Sequence, residues 1–327
     1  MKIAIVGAGA IGAYIGTRLA VAARSQVSAL ARGATLANLC RHGWRARVGG
    51  ELLQAPALAS DRPADLGVHD LVVIAVKAPA LAALAPTLAP LLGPHTVVMP
   101  AMNGVPWWFT QRQAALGDEA LASVDPGGRI GAALPPERVI GCVVHMSCST
   151  PEPGLVQHKM GQGLIVGEAR GGTSERVESL AALLRQAGFE VTASDDVRHD
   201  VWYKLWGNLT MNPISALTGA TIDRLLADPQ VRGFCSAAML EAQAIGARIG
   251  CPIAQTPEDR HAITARLGAF KSSMLQDVEA GRAIELDAIV TAVHELGQRL
   301  GVATPSISAL LGLTRLFAQQ RGLYTQG

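Results

Sequence analysis

A chain of 327 residues exceeds the ~250–300 at which a single hydrophobic core stops growing, so two domains are expected. With 49% hydrophobic and only 17% charged residues, an intrinsically disordered protein is excluded. A formal net charge of +2, with no block of Lys and Arg, leaves no electrostatic footprint for a nucleic acid.

In chain order, the first half alternates short β-rich runs with helical patterns, which predicts a parallel sheet. Strands are expected at Lys2–Val6, Gln26–Leu30, Leu71–Val76, Thr96–Pro100, Val139–Ser147, Leu164–Val166 and Glu190–Thr192. Helices are expected at Ala10–Ala23, Thr35–His42, Ala80–Leu91 and Ser174–Ala187, the last closed by Gly188. Residues 110–137 are less regular, with loops marked by Asp125-Pro126-Gly127-Gly128 and Pro135-Pro136. After Asp195 strand patterns vanish. Helices there open at Asp195-Asp196, Asp228-Pro229, Thr256-Pro257-Glu258-Asp259 and Thr304-Pro305, each a cap or a Pro at the first turn. The expected architecture is α/β, with an N-terminal parallel-sheet domain over 1–195 and an all-helical C-terminal domain over 196–327.

From Ala78 to Phe109 no charged residue occurs, a length sufficient to span a bilayer. Pro79, Pro86, Pro90, Pro94, Pro100 and Pro106 interrupt it, so it reads as helix, turn, buried strand and loop rather than a membrane span. The apolar run Ile3–Val6 leads straight into a glycine motif and is not a signal peptide. Cys40, Cys142, Cys148, Cys235 and Cys251 form no C-x-x-C pair. Reduced thiols in a cytoplasmic protein are expected, and no metal site.

Gly7-Ala8-Gly9-Ala10-Ile11-Gly12 fits G-x-G-x-x-G between a strand and an alanine-rich helix. Gly7 permits the tight turn, Gly9 lets the backbone approach a pyrophosphate, and Gly12 allows close helix–sheet packing. At the end of the second strand an NAD enzyme usually carries Asp or Glu for the ribose hydroxyls; Arg32 stands there instead, suited to a 2′-phosphate. NADP(H) is therefore the expected cofactor. Lys77 and Asn103-Gly104 follow two further strands, at the carboxyl edge where ligands bind in open sheets.

Lys204, Asn208 and Asn212 are spaced i, i+4, i+8 and so share one helical stripe among Leu205, Trp206, Leu209 and Met211. Polar groups in such surroundings are costly unless they are paired or bind something. A cation with two amides suits a small carboxylate bearing a carbonyl. In isolation the same stripe could be a packing Asn pair with a snorkelling Lys.

The stripe also resembles the ketopantoate reductase family, and the resemblance extends over nearly the whole chain. That family joins a Rossmann domain carrying G-x-G-x-x-G to a helical domain carrying K-x-x-x-N-x-x-x-N, then S-S-M-L-Q-D and an acidic residue. Here these are Gly7–Gly12, Lys204–Asn212, Ser272–Asp277 and Glu285. The resemblance implies NADPH-dependent reduction of a small 2-keto acid, 2-dehydropantoate to (R)-pantoate in pantothenate biosynthesis. Lys204 would be the general acid, with Asn208, Asn212 and Ser273 binding substrate. Arg32, Lys77, Asn103 and Glu285 would lie on the cofactor side. A related hydroxy-acid dehydrogenase and a non-catalytic NADP-sensing protein are the competing readings, and a homodimer is left open. Three departures stand out: Met102 before Asn103-Gly104, the extra stretch at about 110–137, and Thr218–Ile222 downstream of the stripe. Trp107 and Trp108 could rim the pocket or pack the extra stretch.

Overall fold

The computed structural model describes residues 1–22, 26–111 and 115–325. The chain divides into two units at places other than a single cut near residue 195. The first unit is Met1–Met102 with Gly128–Asp200, and the second is Asn103–Gly127 with Val201–Gly327.

The first unit begins β1 (Lys2–Val6), α1 (Ala10–Ala22), β2 (Gln26–Leu30) and α2 (Gly33–His42). The expected last residue of α1, at position 23, lies outside the described residues. Three strands follow that the sequence did not suggest: β3 (Trp44–Val48), β4 (Glu51–Ala55) and β5 (Leu58–Ser60). Then come α3 (Pro63–Leu66), β6 (His69–Ile74), α4 (Ala78–Leu84) and β7 (Leu92–Pro100). The single helix expected over Ala80–Leu91 is two pieces, because a 3-10 segment replaces the α-helix from Ala85. Pro86 and Pro90 lack the N–H an α-helix would need there. After α5 (Arg129–Ala133) the unit closes with β8 (Ile140–Glu152), β9 (Leu155–Glu168), α6 (Glu175–Gln186) and β10 (Glu190–Ser194).

Five of these strands form a parallel sheet in the order β5-β2-β1-β6-β7. A second, mixed sheet runs β10-β9-β3-β4, with β8 antiparallel to β9. Helix α1 packs between the two, which is why Ala13, Tyr14, Ile15, Gly16, Thr17 and Leu19 are all buried and no amphipathic stripe is seen. Trp44 of β3 lies fully buried against it. Burying an indole removes roughly 200 Å² from water and stabilises by about 5 kcal/mol. Gly16 makes this possible, since a methyl group there would stand 2.6 Å from the Trp44 ring.

The second unit is helical: α7 (Val197–Thr218, which starts at the end of the first unit), α8 (Ile222–Ala227), α9 (Pro229–Arg248), α10 (Pro257–Ala265), α11 (Ser273–Glu279), α12 (Ala292–Leu300) and α13 (Pro305–Gln320). Asp228 caps α9 by accepting from the N–H groups of Gln230 and Val231, and Thr256 with Asp259 forms a capping box on α10. Thr304 does not cap α13. The Glu241 carboxylate of α9 does so, accepting from Ser306 N (2.8 Å) and Ile307 N (2.9 Å). A five-residue π-helical stretch, Asp287–Thr291, precedes α12.

Residues 103–127 belong to this helical unit. Trp107, Trp108 and Phe109 are buried, and Phe109 stacks on Trp202 of α7. Their burial supports the packing reading of the two tryptophans. Glu295 of α12 accepts from Ala122 N, Ser123 N and Ser123 Oγ at 2.6–2.9 Å, while Arg299 donates to the carbonyls of Glu119 and Ala120. Burial alone would raise the pKa of Glu295. The hydrogen bonds from Ser123 and Ala122, with Arg299 nearby, outweigh it and hold the carboxyl below its usual range.

Among the described residues no helix is long and apolar enough to cross a membrane, and no cluster of His, Cys, Asp and Glu could hold a metal ion. Among the described residues the five cysteines form no disulfide.

Candidate active site

In the first unit the strand register fixes where the loops emerge. Val6 pairs with Leu30 and with Ile74, and Ile74 pairs with Pro100, so four parallel strands end level with one another. Gly7, Arg32 and Lys77 leave the sheet along this one edge. Gly7 has φ +92° and donates its N–H to Leu30 O (3.0 Å). A methyl on Gly7 would stand 2.6 Å from Val76 Cγ1, and one on Gly12 only 2.0 Å from Gly7 O. These two glycines are required by the protein's own packing. Gly9 differs, for nothing lies within 4 Å of where its Cβ would be. The open approach is thus at Gly9, beside the first turn of α1, which carries no acidic residue to occupy its unpaired N–H groups. Ala8 is buried beneath the turn, while Ala10 and Ile11 are half-buried in the first turn of the helix. Such a terminus attracts an anion through aligned N–H groups and the helix dipole.

Arg32 is exposed, extended (φ −139°) and immediately before α2. Its guanidinium makes no ion pair or hydrogen bond with the described residues. Lys77 is half-buried in the corresponding position before α4.

In the second unit α7 carries the stripe expected of it and continues through Pro213 to Thr218. Lys204 and Asn208 are half-buried and Asn212 is 6% exposed. Lys204 Nζ donates to Asn103 Oδ1 at 2.8 Å. Among the described residues the amides of Asn208 and Asn212 make no side-chain hydrogen bond, so both keep donors and acceptors to offer. The backbone that delivers Asn103 is closely held. Gly104 has φ +82°, a methyl there would lie 2.5 Å from Ala288 O, and Val105 N donates to that same oxygen at 2.7 Å.

Two residues of the S-S-M-L-Q-D segment have different tasks. Ser272, buried, caps α11 by accepting from Leu275 N at 3.1 Å. Ser273 is the exposed first residue of that helix, anchored by buried Met274 and Leu275. Glu285 is half-buried, directly before the helical stretch that contains the π turn.

The Asn103–Lys204 bond escapes sequence reasoning, which placed Asn103 on the cofactor side. The partners are 101 positions apart, and an Asn-Gly after a strand reads as an ordinary turn. The available signal was the glycine, because a left-handed residue there forces a defined path just past the asparagine.

The chain's relatives share this layout end to end. A family model described as ketopantoate reductase PanE/ApbA matches residues 3–171, and its C-terminal counterpart matches residues 196–318. A 2-dehydropantoate 2-reductase of Mesorhizobium japonicum is 44% identical over 326 residues, covering 99% of this chain and 100% of the relative. A solved Ralstonia solanacearum MolK2 structure, assigned as a ketopantoate reductase, is 53% identical with a TM-score of 0.95 and covers 99% of both chains. D-mandelate dehydrogenase, solved with NADH and anilino(oxo)acetate, covers 99% of this chain and 100% of its own at a TM-score of 0.84. At 20% identity it shares the fold alone. With both halves matched and relatives aligned over their full length, the chain belongs to the ketopantoate reductase family.

Proposed function

We propose that this protein is an NADPH-dependent reductase of a small 2-keto acid, with 2-dehydropantoate as substrate and (R)-pantoate as product. The observation that carries the reading is the Lys204 ammonium held at 2.8 Å by Asn103, on a stripe whose two further amides keep their hydrogen-bonding capacity. The names carried by the Mesorhizobium and Ralstonia relatives support the same substrate.

The first unit suits a dinucleotide. A cradle in which Gly7 and Gly12 exclude any side chain while Gly9 stays open fits a pyrophosphate on the start of α1. Arg32, without a partner among the described residues, suits a ribose 2′-phosphate, which favours NADPH over NADH. Lys77 and Glu285 would be further contacts of the cofactor. When bound, the reduced nicotinamide supplies the electron pair and hydrogen that convert the keto carbon to a carbinol.

The chain's own residues do the rest. As the carbonyl oxygen gains charge, the Lys204 ammonium stabilises it and transfers a proton from Nζ. Asn103 restrains the ammonium so that little reorganisation is needed at that moment. Asn208 and Asn212 can take the substrate's carboxylate and hydroxyl, with Ser273 a further contact. Cysteines that form no disulfide among the described residues, one of them (Cys40) exposed, suit a reducing compartment, and a cytoplasmic site of action is inferred.

Turnover of 2-dehydropantoate, followed as loss of NADPH absorbance, tests this reading with a panel of other 2-keto acids beside it. Lys204→Ala should lower kcat by roughly 10²–10⁴-fold, the scale of a lost general acid, with little change in NADPH affinity. Near-normal turnover would remove Lys204 from the role.

A further inference from the structure

The peptide that carries Asn103 is held by the π turn, and the π turn is tied to the C-terminal tail. Within Asp287–Thr291 the bond pattern widens, so Ala292 N donates to Asp287 O, five residues back. In a regular α-helix the Ala292 N–H would go to Ala288 O. Spared that donor, the Ala288 carbonyl accepts from Val105 N at 2.7 Å and lies directly under Gly104. Single π turns of this kind recur at functional sites.

The turn is registered by its first residue. Asp287 Oδ1 accepts from Thr291 Oγ1 (2.9 Å) and from the hydroxyl of Tyr324 (2.8 Å). Tyr324 follows α13 by four residues, and its neighbour Leu323 is buried and accepts from Ile284 N at 3.0 Å. The tail thus grips both sides of Glu285. Burial, with the Asp287 carboxylate as its hydrogen-bond partner, pushes the Tyr324 hydroxyl up to about 12, so it remains a donor at any working pH.

We propose that Tyr324 is a positioning residue for Lys204. By fixing Asp287 it sets the π turn, the turn aims Ala288 O at Val105 N, and the held peptide 103–105 presents Asn103 Oδ1 to the lysine. This rests on the reading of Lys204 as the proton donor.

Tyr324→Phe removes one oxygen from a half-buried site and leaves the ring. In this variant kcat falls by at least about fivefold, short of the ~10²-fold that a full ångström of misplacement costs. The KM for NADPH stays within about twofold. The basic limb of the kcat–pH profile moves to lower pH, because an ammonium that loses an acceptor gives up its proton more readily. Hydrogen exchange of the 103–109 peptide quickens. Asp287→Ala reproduces these changes, whereas Asp287→Asn, which keeps an acceptor oxygen, retains near-normal kcat. A Tyr324→Phe enzyme with unaltered kcat and pH profile overturns the proposal, whether or not it melts earlier. If the unsubstituted protein reduces no 2-keto acid, the function fails separately. The exchange rate of residues 103–109 then decides the coupling alone, and an unchanged rate rejects it.

Discussion

Gly9 and Gly12 occupy one motif, yet the structure assigns them opposite responses to the same substitution. Placing a Cβ on Gly12 puts it 2.0 Å from Gly7 O and 2.9 Å from Ala75 Cβ. Both neighbours are fixed to backbone, so the turn and the strand must separate by about an ångström to relieve the clash. That belongs at the top of the overpacking range, about 3 kcal/mol, or roughly 6–12 °C of melting temperature for a unit of this size. A Cβ on Gly9 meets nothing. There, the reduced freedom of the unfolded chain stabilises by about 0.4–1 kcal/mol and a poorer N-cap offsets a similar amount, so Gly9→Ala should melt within about 2–3 °C of the parent. Its methyl nevertheless stands where a pyrophosphate would approach. Cofactor affinity should therefore drop at least about tenfold, equivalent to about 1.4 kcal/mol. Thermal melting without ligand, paired with NADPH titration by fluorescence, measures both effects. If Gly9→Ala binds NADPH like the parent, or Gly12→Ala melts like it, the division between a packing glycine and an approach glycine is wrong.

Arg32→Asp should raise the KM for NADPH far more than that for NADH, since it removes the 2′-phosphate partner and adds a like charge; equal losses would show that Arg32 does not discriminate. His69 provides a pH test. Its Nδ1 faces Gly67 O at 2.8 Å and its Nε2 the Ser28 hydroxyl at 2.7 Å in the sheet interior, and burial lowers its pKa below the usual imidazole value. The unfolded chain then binds the proton more readily, so stability should decline as pH falls below about 6.5, by at most about 1.4 kcal/mol per pH unit from this one group. His69→Gln should flatten the decline but not abolish it, because buried His261 is shifted in the same direction; a melting curve against pH with the parent's slope would exclude His69 as a contributor.

What the sequence disclosed was local chemistry. β1, the glycine turn and α1 were legible because the turn admits only glycine at two of its positions, and α9 and α10 because their caps lie within three residues of the N–H groups they satisfy. The strands β3, β4 and β5 were not. Leu52 and Leu58 are exposed, so the alternation that marks a half-buried strand is blurred, and only Gly49-Gly50 between β3 and β4 hinted at a hairpin. The cap on α13 comes from Glu241, 65 positions before the N–H it serves. No periodicity records a partner at that distance. The site follows the same division. The Lys204–Asn208–Asn212 stripe could be read from i, i+4 spacing, whereas the acceptor for the lysine and the π turn beneath it depend on contacts across the fold.

The placement of residues 103–127 in the helical unit has a consequence for how the chain can be built and cut. A fragment starting near residue 196, where the second family model begins, would leave Phe109 behind and expose the face of Trp202 on which it stacks. It would also lack Asn103, and the carbonyl of Ala288 would lose the N–H of Val105. During synthesis the order is reversed: the tryptophan-bearing segment leaves the ribosome well before α7 exists to receive it. The uncharged run Val105–Phe109, which packs in the helical unit, must then stay unpaired until the C-terminal half arrives. Pro106 within it, poor material for β-aggregation, suits that wait.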